Sequence, residues 1–571
     1  VDEQRPSRER QLAERRARDR RKKVRQRRAV ALCCAVGIAV IVTVLAWPRH
    51  TNGKKKQGGQ SAHVTSPNGS PGTTPSPSYV NVTLGGDGIK MATFLGSETR
   101  RFYGLGPAPK HLNLIWKTVI GGGWTSNKYP DQAAQFWSGT GWTGMPALVR
   151  DGGKLYLLIG GYDHKLHKID AATGKILWAY AFDDVVKSSP SVFANPSPTN
   201  ADNKYIVSAG SRRGYPLSID APQIAPYRSV SFGSGKELWR LPAPHTAAYS
   251  RDCDGSGFFL DGREYIGLED GWFYALDPFA TQNWGKWQAP KIAASRLLLG
   301  DARAEKAHYD QKLHSSNLVL EASPALLGDT IYIATGAGFV YGLRRDDLSI
   351  VYSYRTGSDL DGTTVPTASG KLIVPIEKQY IPGRGGLMML DPTKPAAQSP
   401  VWFFPTANAH IAEWLGGVIG SPAINDEYNR DGSKPALAAT IAIDGYLYLI
   451  SQDTLAKGKV LGPDNKTRFP TPRVLFKDWV NGGISTPIVV GDTLIAAAYD
   501  NLVHMYHMAY KPSHKGAAGA LPSADGHWWT VSVHETATFS GGGSYESTPV
   551  LWDGRVYIGS RNGYYYCLGD G

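Results

Sequence analysis

The chain has 571 residues, 42% of them hydrophobic and 11% aromatic, and only four cysteines. No CxxC or CxxCH pairing occurs, which excludes covalent c-type haem and a Cys-based zinc ribbon. The net charge of +13 would suggest nucleic acid if it lay on a domain, but residues 1–56 carry 17 Lys/Arg against 5 Asp/Glu, so the rest is nearly neutral and no nucleic-acid partner is expected.

In chain order, residues 1–28 form a basic arm that ends directly at an uncharged run, Ala29–Trp47. Nineteen residues make a helix of about 28 Å, enough to span a hydrocarbon core. The positive-inside rule then predicts a single-pass signal anchor in the cell membrane, with the arm cytoplasmic and everything after it extracytoplasmic. Cys33 and Cys34 fall in this run and read as small apolar residues. Residues 48–100 are expected as a flexible linker. Their Gly/Ser/Thr/Pro-rich first part, 49–78, cannot repay its ordering entropy.

From residue 101 to 571 a cassette returns eight times. Its clearest copies are SPALLGDTIYIATGAGFVYGL from Ser323, TPIVVGDTLIAAAYDNLVHMY from Thr486 and TPVLWDGRVYIGSRNGYYYCL from Thr548. The starts are Met145-Pro146, Ser189-Pro190, Ser256-Gly257, Ser323-Pro324, Val365-Pro366, Ser421-Pro422, Thr486-Pro487 and Thr548-Pro549. Proline at the first residue of a strand costs no ladder bond. Three short strands joined by Gly turns cannot bury both faces alone, so the units must stack on copies of themselves. The fold class predicted is all-β, an eight-bladed β-propeller following an N-terminal transmembrane helix. Variation in unit length is assigned to loops such as 289–320 and 508–526.

A fourth strand ending in a large aromatic closes several units, at Trp178, Trp239, Trp402 and Trp529, with Tyr352 and Phe476 in units four and six. These aromatics are expected to dock against the neighbouring blade. The eighth unit stops at Leu568 without a fourth strand, and LNLIWK, with Trp116, supplies the same ending before the first unit. The prediction is that this early strand completes the last blade and closes the ring.

The units YDHKLHKIDAATGKILW and SFGSGKELW resemble the tryptophan-docking repeats of the pyrroloquinoline-quinone (PQQ) propeller superfamily, which includes quinoprotein dehydrogenases and BamB-like outer-membrane assembly lipoproteins. The stretches FYGLGPAP, GTGWTGMPAL and AGSRRGYPLSID resemble a largely uncharacterised group of exported PQQ-like propellers. A quinoprotein activity would imply an adjacent Cys-Cys disulfide in the propeller, Ca²⁺ with Glu/Asn/Asp ligands and a catalytic Asp. The only adjacent cysteines here are Cys33 and Cys34, so no PQQ is expected.

Two acidic Gly loops are the metal candidates. AINDEYNRDGSKP places Glu427, Asn429 and Asp431 at the first, third and fifth positions of a Ca²⁺ loop, but Ala438 stands where a bidentate Glu belongs, and the loop reads as a solvated turn. RDCDGSG from Arg251 spaces Asp252, Asp254 and Ser256 similarly, lacks later donors, and reads as a buried ion pair near the channel. His504 and His507, three apart in a strand pattern, fall on opposite faces, and no nucleophile elbow or P-loop occurs, so no catalytic residue is assigned. The reading is a non-catalytic binding or scaffolding module for a protein or cell-envelope polymer, with aromatic-rich segments Phe136–Gly144 and Trp414–Gly417 as candidate contact surfaces. The alternatives are a PQQ- or metal-dependent oxidoreductase and a structural subunit of a surface assembly.

Overall fold

Each repeat start becomes the innermost strand of an antiparallel sheet. In the first blade the strands are Ala147–Asp151, Lys154–Gly161, Lys165–Asp170 and Ile176–Ala181, in that order outward. Seven more blades begin at Ser191, Phe258, Ala325, Val365, Ala423, Ile488 and Val550. The computed structural model describes residues 78–126, 133–299, 314 and 316–571, within the unit Pro71–Gly571. The basic arm, the expected anchor Ala29–Trp47 and the Gly/Ser-rich tether up to residue 77 lie outside the described residues. Among those described, no helix is long and apolar enough to cross a membrane.

The Ser/Thr of the repeat signature has a structural task. The N–H of Met145 donates to Ser189 Oγ (2.9 Å), that of Ser189 to Ser256 Oγ (2.9 Å), and that of Ser256 to Ser323 Oγ (2.9 Å). The belt continues from Ser323 to Thr363 Oγ1 (3.1 Å), Thr363 to Ser421 Oγ (3.0 Å) and Ser421 to Thr486 Oγ1 (3.0 Å). Each hydroxyl satisfies a buried N–H of the preceding blade that no strand ladder reaches. In the fifth unit the belt residue is Thr363, two residues before the expected start at Val365-Pro366, because register and not proline defines the repeat.

The ring closes as expected. Asn113–Val119 pairs antiparallel with the third strand of blade eight, Tyr564–Gly569, bringing Trp116 opposite Cys567. Every outer strand carries a β-bulge beside one docking position, occupied in blades one to eight by Trp178, Trp239, Ala294, Tyr352, Trp402, Phe476, Ala537 and Trp116. The indole N–H groups of Trp116, Trp178, Trp239 and Trp402 donate to carbonyls of the following blade, at Ala171, Phe232, Pro278 and Gln452, over 2.8–3.1 Å. Trp178 also covers Gly235, where an added Cβ would lie 2.8 Å from the indole. Trp529 is a correction: it lies eight residues before the blade-seven position and packs under Lys434 Nζ, 3.4 Å from its ring centroid. The long hairpin of that blade, Leu502–Ser513 with Trp528–Ser540, carries the extra sequence as strand, and Trp272–Trp284 with Trp287–Leu297 does so in blade three. Length variation therefore sits partly in extended strands, whose added residues pair with each other.

The linker boundary at residue 100 also needs correction. Residues 79–105 fill the centre of the ring. Gly88–Met91 adds to the inner edge of blade one, and Gly104–Leu105 pairs parallel with the inner strand of blade eight. Gly104 permits that approach, because a Cβ there would sit 1.7 Å from the Leu551 carbonyl oxygen. Between them the chain bonds Val192 through the Ala92 carbonyl (2.7 Å) and Leu326 through the Glu98 carbonyl (2.8 Å). Arg100, fully buried, donates to the carbonyls of Pro324 (2.8 Å), Ser256 (2.8 Å) and Phe94 (2.7 Å). Met91, Phe94, Leu95, Phe102 and Tyr103 repay the ordering of this segment by joining the main core.

Two outcomes follow. Trp239→Ala, which removes a fully buried docking ring, is expected to cost about 3–5 kcal/mol in denaturant unfolding, and Trp529→Ala less than half of that. A chain starting at residue 78 should remain soluble and monomeric by size-exclusion chromatography. One starting at residue 108, which keeps the closing strand but lacks the central segment, should aggregate because the inner edges are uncovered.

Candidate functional site

Two ring-shaped sets of residues meet at one end of the channel. The first set stands two positions before a belt hydroxyl, at Lys187, Asp254, Glu321, Asp361, Ile419 and Ile484, and in the eighth unit two before Thr548, at Glu546. The second follows the second strand of a blade: Tyr162, Arg212, Glu269, Glu377, Tyr499 and Arg561. Together they line a funnel of about 580 Å³. The central segment 79–105 enters and leaves at the other end, where Asp87 accepts the N–H groups of Gly152 and Gly153 (2.9 and 3.0 Å). The channel is thus a blind funnel.

Its wall is divided. Blades three to five contribute Asp252, Asp254, Glu269, Glu321, Asp359, Asp361 and Glu377. On the far side Trp142, Ile419, Ile443 and Ile484 form an apolar cluster against Ile411, Trp414 and Tyr499. Among the described residues nine carboxylates line the funnel against three cations, each of which has a carboxylate partner. Lys187 bonds Asp254 Oδ2, Arg212 Nε lies 2.7 Å from Asp252 Oδ2, and Arg561 Nη1 lies 2.5 Å from Glu546 Oε2. All three cations also stand over Trp137, at 6.0, 5.3 and 5.8 Å from its ring centroid.

On the acidic side one oxygen each of Asp254, Glu269 and Glu321 lies within 4.8 Å of the others, and the same holds for Asp359, Asp361 and Glu377. Burial pushes the Asp254 carboxyl up to about 6 against the pull of Lys187, with Glu321 and Asp252 adding to the rise. Burial also drives Glu269 well above the usual carboxylate range, reinforced by Asp254 and Glu321. For Lys187 burial opposes the charge, but Asp254, Glu321 and Glu269 outweigh it and hold the ammonium more firmly protonated than usual. The wall favours a positive charge.

The family model for the outer membrane protein assembly factor BamB matches residues 114–278. BamB from Moraxella catarrhalis is 12% identical over 80% of this chain and 98% of its own, with a TM-score of 0.43. The quinohemoprotein alcohol dehydrogenase from Comamonas testosteroni is 14% identical over 85% and 81%, at 0.48. A europium-containing methanol dehydrogenase is 11% identical over 82% and 89%, at 0.50. The fold is that of a PQQ-like β-propeller. A comparison with curated protein sequences returns no match.

In this PQQ-like propeller the sequence-derived candidates are dispersed. Glu427, Asn429 and Asp431 lie at the end away from the funnel and do not converge. Glu427 Oε1 accepts the Val80 N–H (2.7 Å) and Arg430 Nη2 (2.5 Å). Asn429 bonds both backbone groups of Lys434 (2.7 and 2.9 Å), and the exposed Asp431 caps the Ser433 N–H (3.0 Å). Glu427 Oε1, both Asn429 side-chain atoms and Asp431 Oδ1 are engaged by the protein's own groups, Glu427 Oε2 is buried without a hydrogen-bond partner, and Glu427 serves to clamp the central segment. The second loop does reach the funnel. Asp252 forms the expected ion pair, with Arg212, while Arg251 turns away to the carbonyls of Ala243, Ile219 and Ala221. The aromatic segments also arrive there: Trp137, Trp142 and Trp414 line the funnel. His504 is a structural residue, held between Asp500 (2.7 Å) and Glu535 (2.6 Å). Cys253 and Cys567 are buried and unpaired. Glu269, Glu321, Asp359, Asp361 and Glu377 escaped the reading by motif. The signal is positional: Glu321 and Asp361 stand two before a belt residue, as Asp254 does, Asp359 four before one, as Asp252 does, and Glu269 and Glu377 just after the second strand of their blades.

The raised Asp254 carboxyl gives a pH dependence. Its folded value of about 6 exceeds an unfolded value near ~3.9. Its stabilising contribution is therefore complete below pH ~4 and lost as pH rises to about 6. Asp254→Asn should flatten the wild-type fall in stability across that window by up to about 1.4 kcal/mol per pH unit, measured by denaturant unfolding at stepped pH without divalent cations.

Proposed function

We propose that the protein is a non-catalytic binding module whose recognition site is the funnel, and that its partner is a protein segment presenting basic side chains along one side and apolar ones along the other. The observation that carries this reading is the division of the wall into an acidic half on blades three to five and an apolar, tryptophan-bearing half opposite. Carboxylates placed around a partly desolvated mouth attract and orient cationic ligands, and Trp414 offers a ring face for cation–π or apolar contact. No histidine or cysteine is among the described residues lining the funnel. Residue 78 sits at the end of the ring opposite the funnel mouth, where Arg101 bonds the Ser78 carbonyl and Glu427 the Val80 N–H.

Oxidoreductase chemistry is the second reading, and the raised carboxyls of Asp254 and Glu269 favour it, since a general base is built from such groups. The donor set does not suit PQQ. That quinone is itself a tricarboxylate, and among the described residues it would face nine carboxylates and three cations that are each already bridged.

The test is a fluorescence titration with a Lys/Arg peptide carrying interspersed Leu. Micromolar affinity is expected, weakening at least about tenfold in Trp414→Ala and falling further from 0.05 to 0.5 M salt as screening lengths shrink. Absence of binding, or binding indifferent to both changes, overturns the proposal. A stoichiometric PQQ complex detected by absorbance would establish the second reading.

A further inference from the structure

The extended hairpin of blade seven carries two histidines that belong neither to the buried core nor to the funnel wall. His507, on the strand Leu502–Ser513, and His534, on Trp528–Ser540, stand directly opposite each other in the antiparallel register. Residues paired in this way share one face of the sheet, and the two imidazoles meet there with ring centroids 5.8 Å apart. Both rings are open to solvent, the His507 side chain being 43% exposed and His534 exposed as well. A carboxylate stands beside them. Asp492 lies in the Gly-Asp turn between the first two strands of the blade, Ile488–Val490 and Thr493–Ala497. Its carbonyl accepts the Met508 N–H at 2.7 Å, which pins the turn next to His507. Asp492 Oδ2 is then 3.5 Å from His507 Nδ1.

We propose that His507 and His534 form a surface site for a transition-metal ion, with Asp492 as the carboxylate that orients His507. Imidazole nitrogen suits Zn²⁺, Cu²⁺ and Ni²⁺, whereas Ca²⁺ and Mg²⁺ prefer hard oxygen. An ion held at about 2.0–2.1 Å by one nitrogen of each ring bridges two imidazoles at this spacing. A metal-bound histidine commonly sets its other ring nitrogen against a carboxylate, which fixes the tautomer and the ring orientation. Asp492 beside Nδ1 fills that role and leaves Nε2 of His507 for the ion. The two strands present the ligands ready-made. Tyr506 pairs with Glu535 on one side of the histidine pair and Met508 with Val533 on the other, so binding need order little beyond two side chains. Two protein ligands leave the remaining positions to water. The site lies away from the funnel and is independent of the partner proposed above. Thr493, the other cross-strand neighbour of His507, begins the second strand, and it is the far end of that strand that leads to Tyr499 in the funnel wall.

Calorimetric titration of the full-length chain with ZnCl₂ and with CuCl₂, joined to electron paramagnetic resonance of the Cu²⁺ complex, tests this. A micromolar site is expected, tighter for Cu²⁺ than for Zn²⁺ as the usual order of divalent affinities requires, with splitting from two ring nitrogens. Excess MgCl₂ should not displace the ion. His507→Asn and His534→Asn should each weaken binding by more than about tenfold and remove one nitrogen from the spectrum. Both replace exposed side chains, so the melting temperature of the metal-free chain should not move. Asp492→Asn should weaken binding by about tenfold, as for loss of an outer-shell partner, and keep both nitrogens. His527→Asn, which removes another exposed histidine with a carboxylate partner, Asp525, should change nothing. Four results would each overturn the proposal: no binding at millimolar Zn²⁺ or Cu²⁺, a site of undiminished affinity in the His507→Asn/His534→Asn double variant, Asp492→Asn indistinguishable from the wild type, or an equal loss in His527→Asn.

Discussion

The belt of hydroxyl-to-backbone hydrogen bonds around the channel is the interaction on which the rest of the molecule depends. Each link joins the start of one inner strand to the start of the next, from Met145 and Ser189 round to Ser421 and Thr486. A single link contributes about 1 kcal/mol net, but leaving its buried N–H unsatisfied costs more than the bond returns. The links therefore act as spacers as much as glue. They hold seven of the eight inner strands at one pitch, and so set the positions of the loops that immediately precede them. Those loops carry Lys187, Asp254, Glu321 and Asp361.

Blade packing further out follows from the same spacing. An outer-strand bulge turns one side chain toward the following blade, and where that residue is tryptophan its N–H finds a carbonyl there. The docking ring buries apolar area while its one polar atom stays satisfied, which is the condition for placing tryptophan in a core. At blades three and seven the position holds alanine, and those blades instead extend their outer hairpins.

The central segment gives the two ends of the ring different properties. Arg100 is a fully buried cation whose charge is met by backbone carbonyls of blades three and four, and burial lowers its pKa to about 9, so it stays charged at neutral pH. Its guanidinium ties the segment to strands that also bear the acidic wall. The end clamped by Glu427 and Asp87 is a closed floor, and the funnel at the other end collects buried carboxylates that repel one another. A fold stabilised chiefly by its apolar core tolerates such a concentration of charge, and the raised carboxyl of Asp254 records the tension it creates.

The sequence alone determined the repeat, the number of blades and the strand that closes the ring, because hydrophobic alternation, Gly turns and a missing fourth strand are local or periodic signals. It also placed Trp178, Trp239, Trp402 and Trp116 at docking positions, since the aromatic follows its turn at a constant distance. Trp529 was misplaced because a longer hairpin moved the bulge away from the turn. Residues 79–100 read as linker because their glycines and short apolar runs match no periodic pattern, and only the ring offers the surface that orders them. The funnel was legible in fragments, as an Asp252–Asp254 loop and two aromatic segments. Glu269 and Glu321 lie 52 residues apart and become neighbours only when adjacent blades are brought side by side, so the acidic trio is a property of the tertiary structure. No motif records it, because its members come from three separate loops whose meeting point is set by the belt.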